Sequence, residues 1–206
     1  MNHDITNEVL AEFSTAFSSN PVNRIAMNAV TSAGLLAASK NPMAQRESRH
    51  SYSISLEQGE ITNQKQSGRC WMFAALNTFR FEVMKNLNLK TFELSQNYTL
   101  FYDKLEKSNY FLESILETLD EPTQGRLISF LLSAPLGDGG QWDMLCNLVR
   151  KYGVVPKEAM PETVSSSATR EMTSALTRKL REDACRLRKA YADGSTLDEL
   201  RQKKEA

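Results

Sequence analysis

A cysteine, a glutamine and a glycine share one short stretch of this 206-residue sequence, Asn63-Gln64-Lys65-Gln66-Ser67-Gly68-Arg69-Cys70. At Cys70 the hydrophobic pattern becomes helical, with Met72, Ala75, Leu76, Phe79 and Val83 on one face. The free N–H groups and positive dipole end of a helix N-terminus favour negative charge on a side chain placed there. Arg69, the adjacent residue, can add positive potential. Gln64 lies six residues upstream, and a side-chain amide can donate to the oxyanion that forms when a carbonyl is attacked. A lone cysteine is most often a small buried hydrophobe. The combination points instead to nucleophilic thiol chemistry. A second loop, Gly137-Asp138-Gly139-Gly140, reads in isolation as a tight turn that needs glycine.

Cys146 falls on an apolar helix face and is expected to be packed. Cys185 sits in a charged helix without an acid–base neighbour. Three widely spaced cysteines make neither a disulfide framework nor a zinc C-x-x-C pattern, so no metal or cofactor is expected. A thiol nucleophile needs a base and its leaving amine needs an acid. The two histidines, His3 and His50, both precede Cys70 and read as exposed or capping residues.

Hydrophobic residues make up 41% and charged residues 24%, which suits a folded protein. Lys plus Arg balance Asp plus Glu at 25 each, so net charge gives no reason to expect nucleic acid or an anionic membrane as partner. The N-terminus lacks a basic stretch and apolar core, and no apolar run spans a bilayer, so a cytoplasmic location is expected.

Helices are predicted over the region of Val9 to Phe17, stopped by Asn20-Pro21, and from about Val22 to Ala33, ended by Gly34. Lys40 to His50 reads as a connection. Tyr52, Ile54 and Leu56 alternate with serines, which predicts a half-buried strand. The Cys70 helix should run to about Asn86. A longer one starts at Ser95 as N-cap and carries an apolar core stripe from Tyr98 to Leu119, with a break near Ser108-Asn109. Further helices are expected at Gly125 to Leu132, Trp142 to Tyr152 and Thr169 to Ala192. Val154-Val155-Pro156 reads as extended and Ser165-Ser166-Ser167 as a polar hinge. The last forty residues look like a solvated helical excursion that packs on something outside the chain. Its tail is a weak, exposed helix at best.

Gln64 to Ala74 resembles the nucleophile segment of papain-like cysteine peptidases, in which a Gln-x5-Cys-Trp pattern carries the oxyanion-hole glutamine and the catalytic cysteine. Secreted members have a disulfide cysteine three residues before the nucleophile, where this sequence has Ser67. The fit is better to the cytosolic branch, bleomycin hydrolase and bacterial aminopeptidase C. Asn20-Pro21 through Thr31, Leu94 to Tyr98, Gly137 to Met144 and Lys151 to Lys157 also match that branch.

The resemblance implies an α+β papain-like fold of which this chain is mostly the helical, nucleophile-bearing part. Residues 1–165 would form the N-terminal half of the peptidase domain and 166–206 a charged extension. It implies a thiol protease, an aminopeptidase hydrolysing peptides, with Cys70 as nucleophile, Gln64 in the oxyanion hole beside the Cys70 N–H, and Gly139 and Gly140 binding substrate backbone. Trp142 would be core or cleft wall. It also implies a ring-shaped homohexamer, an assembly that a chain of this length leaves open. Full-length members are more than twice as long, and their second half carries the catalytic His and Asn. The expectation is therefore an N-terminal portion with little activity alone. The alternative is a non-catalytic protein that binds a partner through an exposed half-cleft.

Overall fold

The computed structural model describes residues 4–47, 51–56 and 59–205 and divides into two compact units, Met1–Ser55 and Leu56–Ala206. The expected groups at His3 and His50 lie outside the described residues. The first unit holds α1 (Asn7–Ser19), α2 (Pro21–Ala33), α3 (Leu35–Ala38) and α4 (Pro42–Glu47). Local chemistry sets these boundaries. Asn20 Oδ1 accepts the Val22 N–H at 3.0 Å with Pro21 at the first helical position. The stretch read as a bare connection contains α4 because Asn41 Oδ1 accepts the Met43 N–H at 3.0 Å and starts a turn. No strand forms at residues 51–56, where Tyr52 and Ile54 are 78% and 75% exposed. Alternation prepares one face of a strand, but the backbone also needs a partner ladder. The only bridges among the described residues are two isolated ones elsewhere.

The second unit holds α5 (Cys70–Leu87), α6 (Gln96–Glu117), α7 (Arg126–Ser133), α8 (Trp142–Tyr152), a 3-10 turn (Lys157–Ala159), α9 (Val164–Ser167), α10 (Arg170–Ala192) and α11 (Leu197–Glu205). The long α6 is its spine. Leu100 of α6 joins Met72, Ala75 and Leu76 of α5, Leu145 of α8 and Leu94 in one core cluster. Farther along, Phe111 and Ile115 meet Leu136 and, from α10, Leu180 and Ala184. Ser95 caps α6 by accepting the Tyr98 N–H at 3.0 Å, as its position predicts. The predicted break at Ser108-Asn109 is absent, because Ser108 Oγ donates to the Lys104 carbonyl at 2.7 Å within the helix. The extended segment after α8 pairs with the residues before α6: the Ser95 N–H donates to Val155 O and the Lys157 N–H to Glu93 O, both at 2.9 Å.

Three expectations for the C-terminal region are corrected. The serine stretch is helical, since Thr163 and Ser166 form a reciprocal capping box. The charged α10 packs within the chain: it buries Leu180, Ala184 and Leu187 against α6. Its Arg181 donates to the Leu132 and Ser133 carbonyls, and Arg188 to Thr118 O and Glu121 O, satisfying the ends of α7 and α6. The tail is anchored, because Leu200 of α11 is fully buried with Leu116 and Leu187. Leu200→Ala should therefore cost about 2–4 kcal/mol in urea denaturation. A loss under about 0.5 kcal/mol would mean that α11 is not packed. The expected α+β class is represented among the described residues by helices and two isolated bridges. No described helix is long and apolar enough to cross a membrane.

Candidate active site

The loop before Cys70 is folded by its own side chains. The Lys65 N–H donates to Asn63 Oδ1 at 2.7 Å, which holds Lys65 at a φ of 55°, uncommon for a residue with a Cβ. Ser67 Oγ donates back to the Gln64 carbonyl at 2.6 Å. From outside, the Gln66 N–H donates to Ser167 O at 2.9 Å, and the Thr169 N–H donates to Gln66 O at 3.3 Å. The chain thus enters α5 along a fixed path, with Cys70 exposed as the first residue of the helix. Arg69 at the N-cap gives no side-chain acceptor, so no side chain caps the start of α5.

The Arg69 side chain turns inward to a carboxylate. It is fully buried and makes a two-pronged pair with Glu162, Nη1 to Oε1 at 2.9 Å and Nη2 to Oε2 at 2.8 Å. Nε donates to Ser67 Oγ at 2.8 Å, and the guanidinium lies 5.0 Å from the Phe73 ring centroid. Burial pushes the Glu162 carboxyl up, but the hydrogen bonds from Arg69 and then Ser166 outweigh it and hold it below its ordinary value. This ion pair ties the residue before Cys70 to the segment leading into α9.

The Gly137–Gly140 loop lies against the same segment. Asp138 Oδ2 accepts the Gly68 N–H at 3.2 Å and the Thr169 hydroxyl at 2.5 Å, while Oδ1 accepts Lys104 Nζ at 2.5 Å. The Asp138 carbonyl accepts the Trp71 indole N–H at 2.9 Å. Lys107 Nζ donates to Gly139 O at 2.7 Å, Gly137 O at 3.0 Å and Asp103 Oδ2 at 2.8 Å. Two lysines one helical turn apart on α6 therefore strap the loop down. Gly140 is required by packing: a Cβ there would stand 2.5 Å from the Trp71 ring. Gly139 is not. A Cβ at that position meets nothing within 4 Å, and the backbone is outside the left-handed region. The fold does not demand that Gly139 lack a side chain.

Burial raises the Asp138 carboxyl, but hydrogen bonds from Lys104 and then Thr169, the Lys104 charge and the Gly68 N–H bring it down to about 2. Asp103 moves the other way, because its burial outweighs Lys107. For Asp138 the folded value lies below the unfolded one, about 3.9. Its stabilisation is present above pH 4 and lost as pH falls towards 2. Allowing for solvent screening, Asp138→Asn should cost about 1–2 kcal/mol at pH 6. In urea titrations that difference should vanish near pH 2. A constant difference across this range would contradict the assignment.

Of the residues singled out in sequence, the fold brings together the segments of Cys70, Gly139 and Gly140 through Gly68 and Trp71. Gln64 is half-buried at the far end of the same loop. Its side-chain Oε1 is buried without a hydrogen-bond partner among the described residues. Trp142 is not core: it is 61% exposed, with its ring 6.4 Å from that of Phe79. Cys146 is half-buried and Cys185 exposed. Sequence reasoning missed Asp138, Lys104, Lys107 and Glu162. Asp138 stood inside the glycine motif, and the Asp103–Lys107 spacing on α6 was the only local sign of the strap.

Comparison with known proteins agrees with this geometry. Residues 4–206 match the Peptidase C1-like family. Aminopeptidase C of Listeria monocytogenes is 48% identical over 193 residues, which cover 94% of this chain and 44% of that protein. Human bleomycin hydrolase is 41% identical over 200 residues, covering 95% and 44%. The crystal structure of PepW from Lactobacillus rhamnosis HN001 superposes with a TM-score of 0.90 at 46% identity, over 99% of this chain and 46% of that one. The chain thus spans less than half the length of these relatives. A nucleophile-type loop, the glycine loop against it and a family match over nearly every residue lead to one conclusion: the chain belongs to the Peptidase C1-like family.

Proposed function

We propose that this chain carries the nucleophile-bearing wall of a cysteine aminopeptidase. The observation that carries the reading is the packing of Trp71 on Gly140, which joins the residue after the exposed Cys70 to a loop where a side chain at Gly139 would meet open space. In the reaction, the Cys70 sulfur attacks the carbonyl carbon of the first peptide bond of a substrate. The carbonyl π electrons move to oxygen, where the Cys70 N–H and the Gln64 side-chain amide donate. Gln64 would serve through its side-chain NH2, the donor end of the amide. Collapse breaks the C–N bond and the amine leaves with a proton. The thioester on Cys70 is then hydrolysed by water. Gly139 and Gly140 line the path of the substrate backbone.

A base must take the Cys70 proton and return one to the amine. The resemblance assigns that work to a histidine, oriented by an asparagine, in the part of the longer relatives that these 206 residues do not span. The purified 206-residue chain should therefore show no turnover of an aminoacyl fluorogenic substrate. Joined to the remaining part of the Listeria aminopeptidase C, it should turn over, and Cys70→Ala should lower kcat at least about 1,000-fold. Activity of the joined protein that survives Cys70→Ala would sink the reading.

A further inference from the structure

We propose that Asp138 is a positioning residue that sets the glycine wall in register with the nucleophile. This rests on the reading of Cys70 and of the Gly139-Gly140 loop given above. In Gly137-Asp138-Gly139-Gly140, Asp138 supplies the only side chain, so three glycines would otherwise leave the loop free to wander. Its partners are placed where register matters. Gly68, two residues before Cys70, donates its N–H to the carboxylate, and Trp71, one residue after, donates its indole N–H to the Asp138 carbonyl. The remaining carboxylate contacts, Lys104 of α6 at 2.5 Å, Thr169 at 2.5 Å and Thr173 of α10 at 3.4 Å, fix the same group to the body of the unit. One residue thus joins both flanks of the nucleophile, the glycine loop and two long helices. Free cysteines at positions 70, 146 and 185 form no cross-link here, and a carboxylate holds these two loops together.

The test separates positioning from stability by probing Cys70 with two electrophiles on the 206-residue chain. Iodoacetamide reads the thiol alone. A dipeptidyl vinyl sulfone reads the thiol together with the backbone wall. Asp138→Asn should lower the ratio of peptidyl to iodoacetamide rate at Cys70 about fivefold, and Asp138→Ala more than about tenfold. Leu200→Ala, remote and destabilising, should leave the ratio unchanged. Equal loss with both probes, or the same ratio change in Leu200→Ala, would overturn the proposal. Amide exchange supplies a readout free of thiol chemistry: the Gly68 N–H, which donates to the Asp138 carboxylate, should exchange at least about tenfold faster in Asp138→Ala and not in Leu200→Ala. Unchanged exchange would also overturn it. If the wild-type chain shows no peptidyl preference for Cys70 over the exposed Cys185, the functional reading falls, and exchange still decides the role of Asp138.

Discussion

Gly140→Ala is expected to lose about 3 kcal/mol of folding stability, a large effect for one methyl group on a loop. The added Cβ would sit 2.5, 2.6 and 2.8 Å from three atoms of the Trp71 ring, closer than real side chains approach. The ring cannot simply move away, because its indole N–H is held by the Asp138 carbonyl at 2.9 Å and Lys107 Nζ lies 5.6 Å from the ring centroid. Either the loop lifts and loses its lysine straps, or Trp71 rotates and loses its hydrogen bond. Chemical denaturation measures the cost. A cycle with Trp71→Phe should show strong non-additivity, because the smaller ring removes part of the clash. Gly139→Ala is the matched control. With open space around its Cβ and no left-handed backbone, it should fold within about 0.5 kcal/mol of the parent and yet reduce reaction with a peptidyl electrophile.

Arg69→Met should cost about 3–5 kcal/mol, because it leaves the half-buried Glu162 without its cation. Arg69→Lys should recover less than half of this. An ammonium cannot span both Glu162 oxygens and Ser67 Oγ, nor lie flat near Phe73. The folded Glu162 carboxyl lies below its ordinary value, so the contribution of the pair is present above about pH 4.3 and declines as pH falls. Urea midpoints of the parent and Arg69→Met should therefore converge in acid. Parallel curves down to pH 2 would show that the pair contributes nothing specific.

The helix boundaries legible in the sequence were those written in local chemistry. Ser95, Asn20-Pro21 and Gly153 act on backbone groups within a turn of themselves, so their effect needs no knowledge of the fold. The strand predicted from Tyr52, Ile54 and Leu56 failed because alternation describes a side-chain pattern and says nothing of a pairing partner. The docking of α10 was hidden because only Leu180, Ala184 and Leu187 are buried among many charges. At the candidate site, Cys70, Gln64 and the two glycines were read from two short motifs, and their roles are those proposed above. What holds them could not. Arg69 meets Glu162 across 93 residues and Asp138 meets Lys104 across 34. Arg69 is next to Cys70 in sequence, but proximity in sequence does not fix where a long side chain goes. It turns into the protein, where a carboxylate and an aromatic ring compensate its burial.

The proposed function requires Cys70 to face a wall that recognises peptide backbone. Peptide mapping by mass spectrometry, after limited reaction of the 206-residue chain with a dipeptidyl vinyl sulfone, tests this directly. The predicted result is an adduct on Cys70 at least tenfold above that on the equally exposed class of thiol at Cys185, reduced by Gly139→Ala. Equal labelling of Cys70 and Cys185, indifferent to Gly139→Ala, would contradict it.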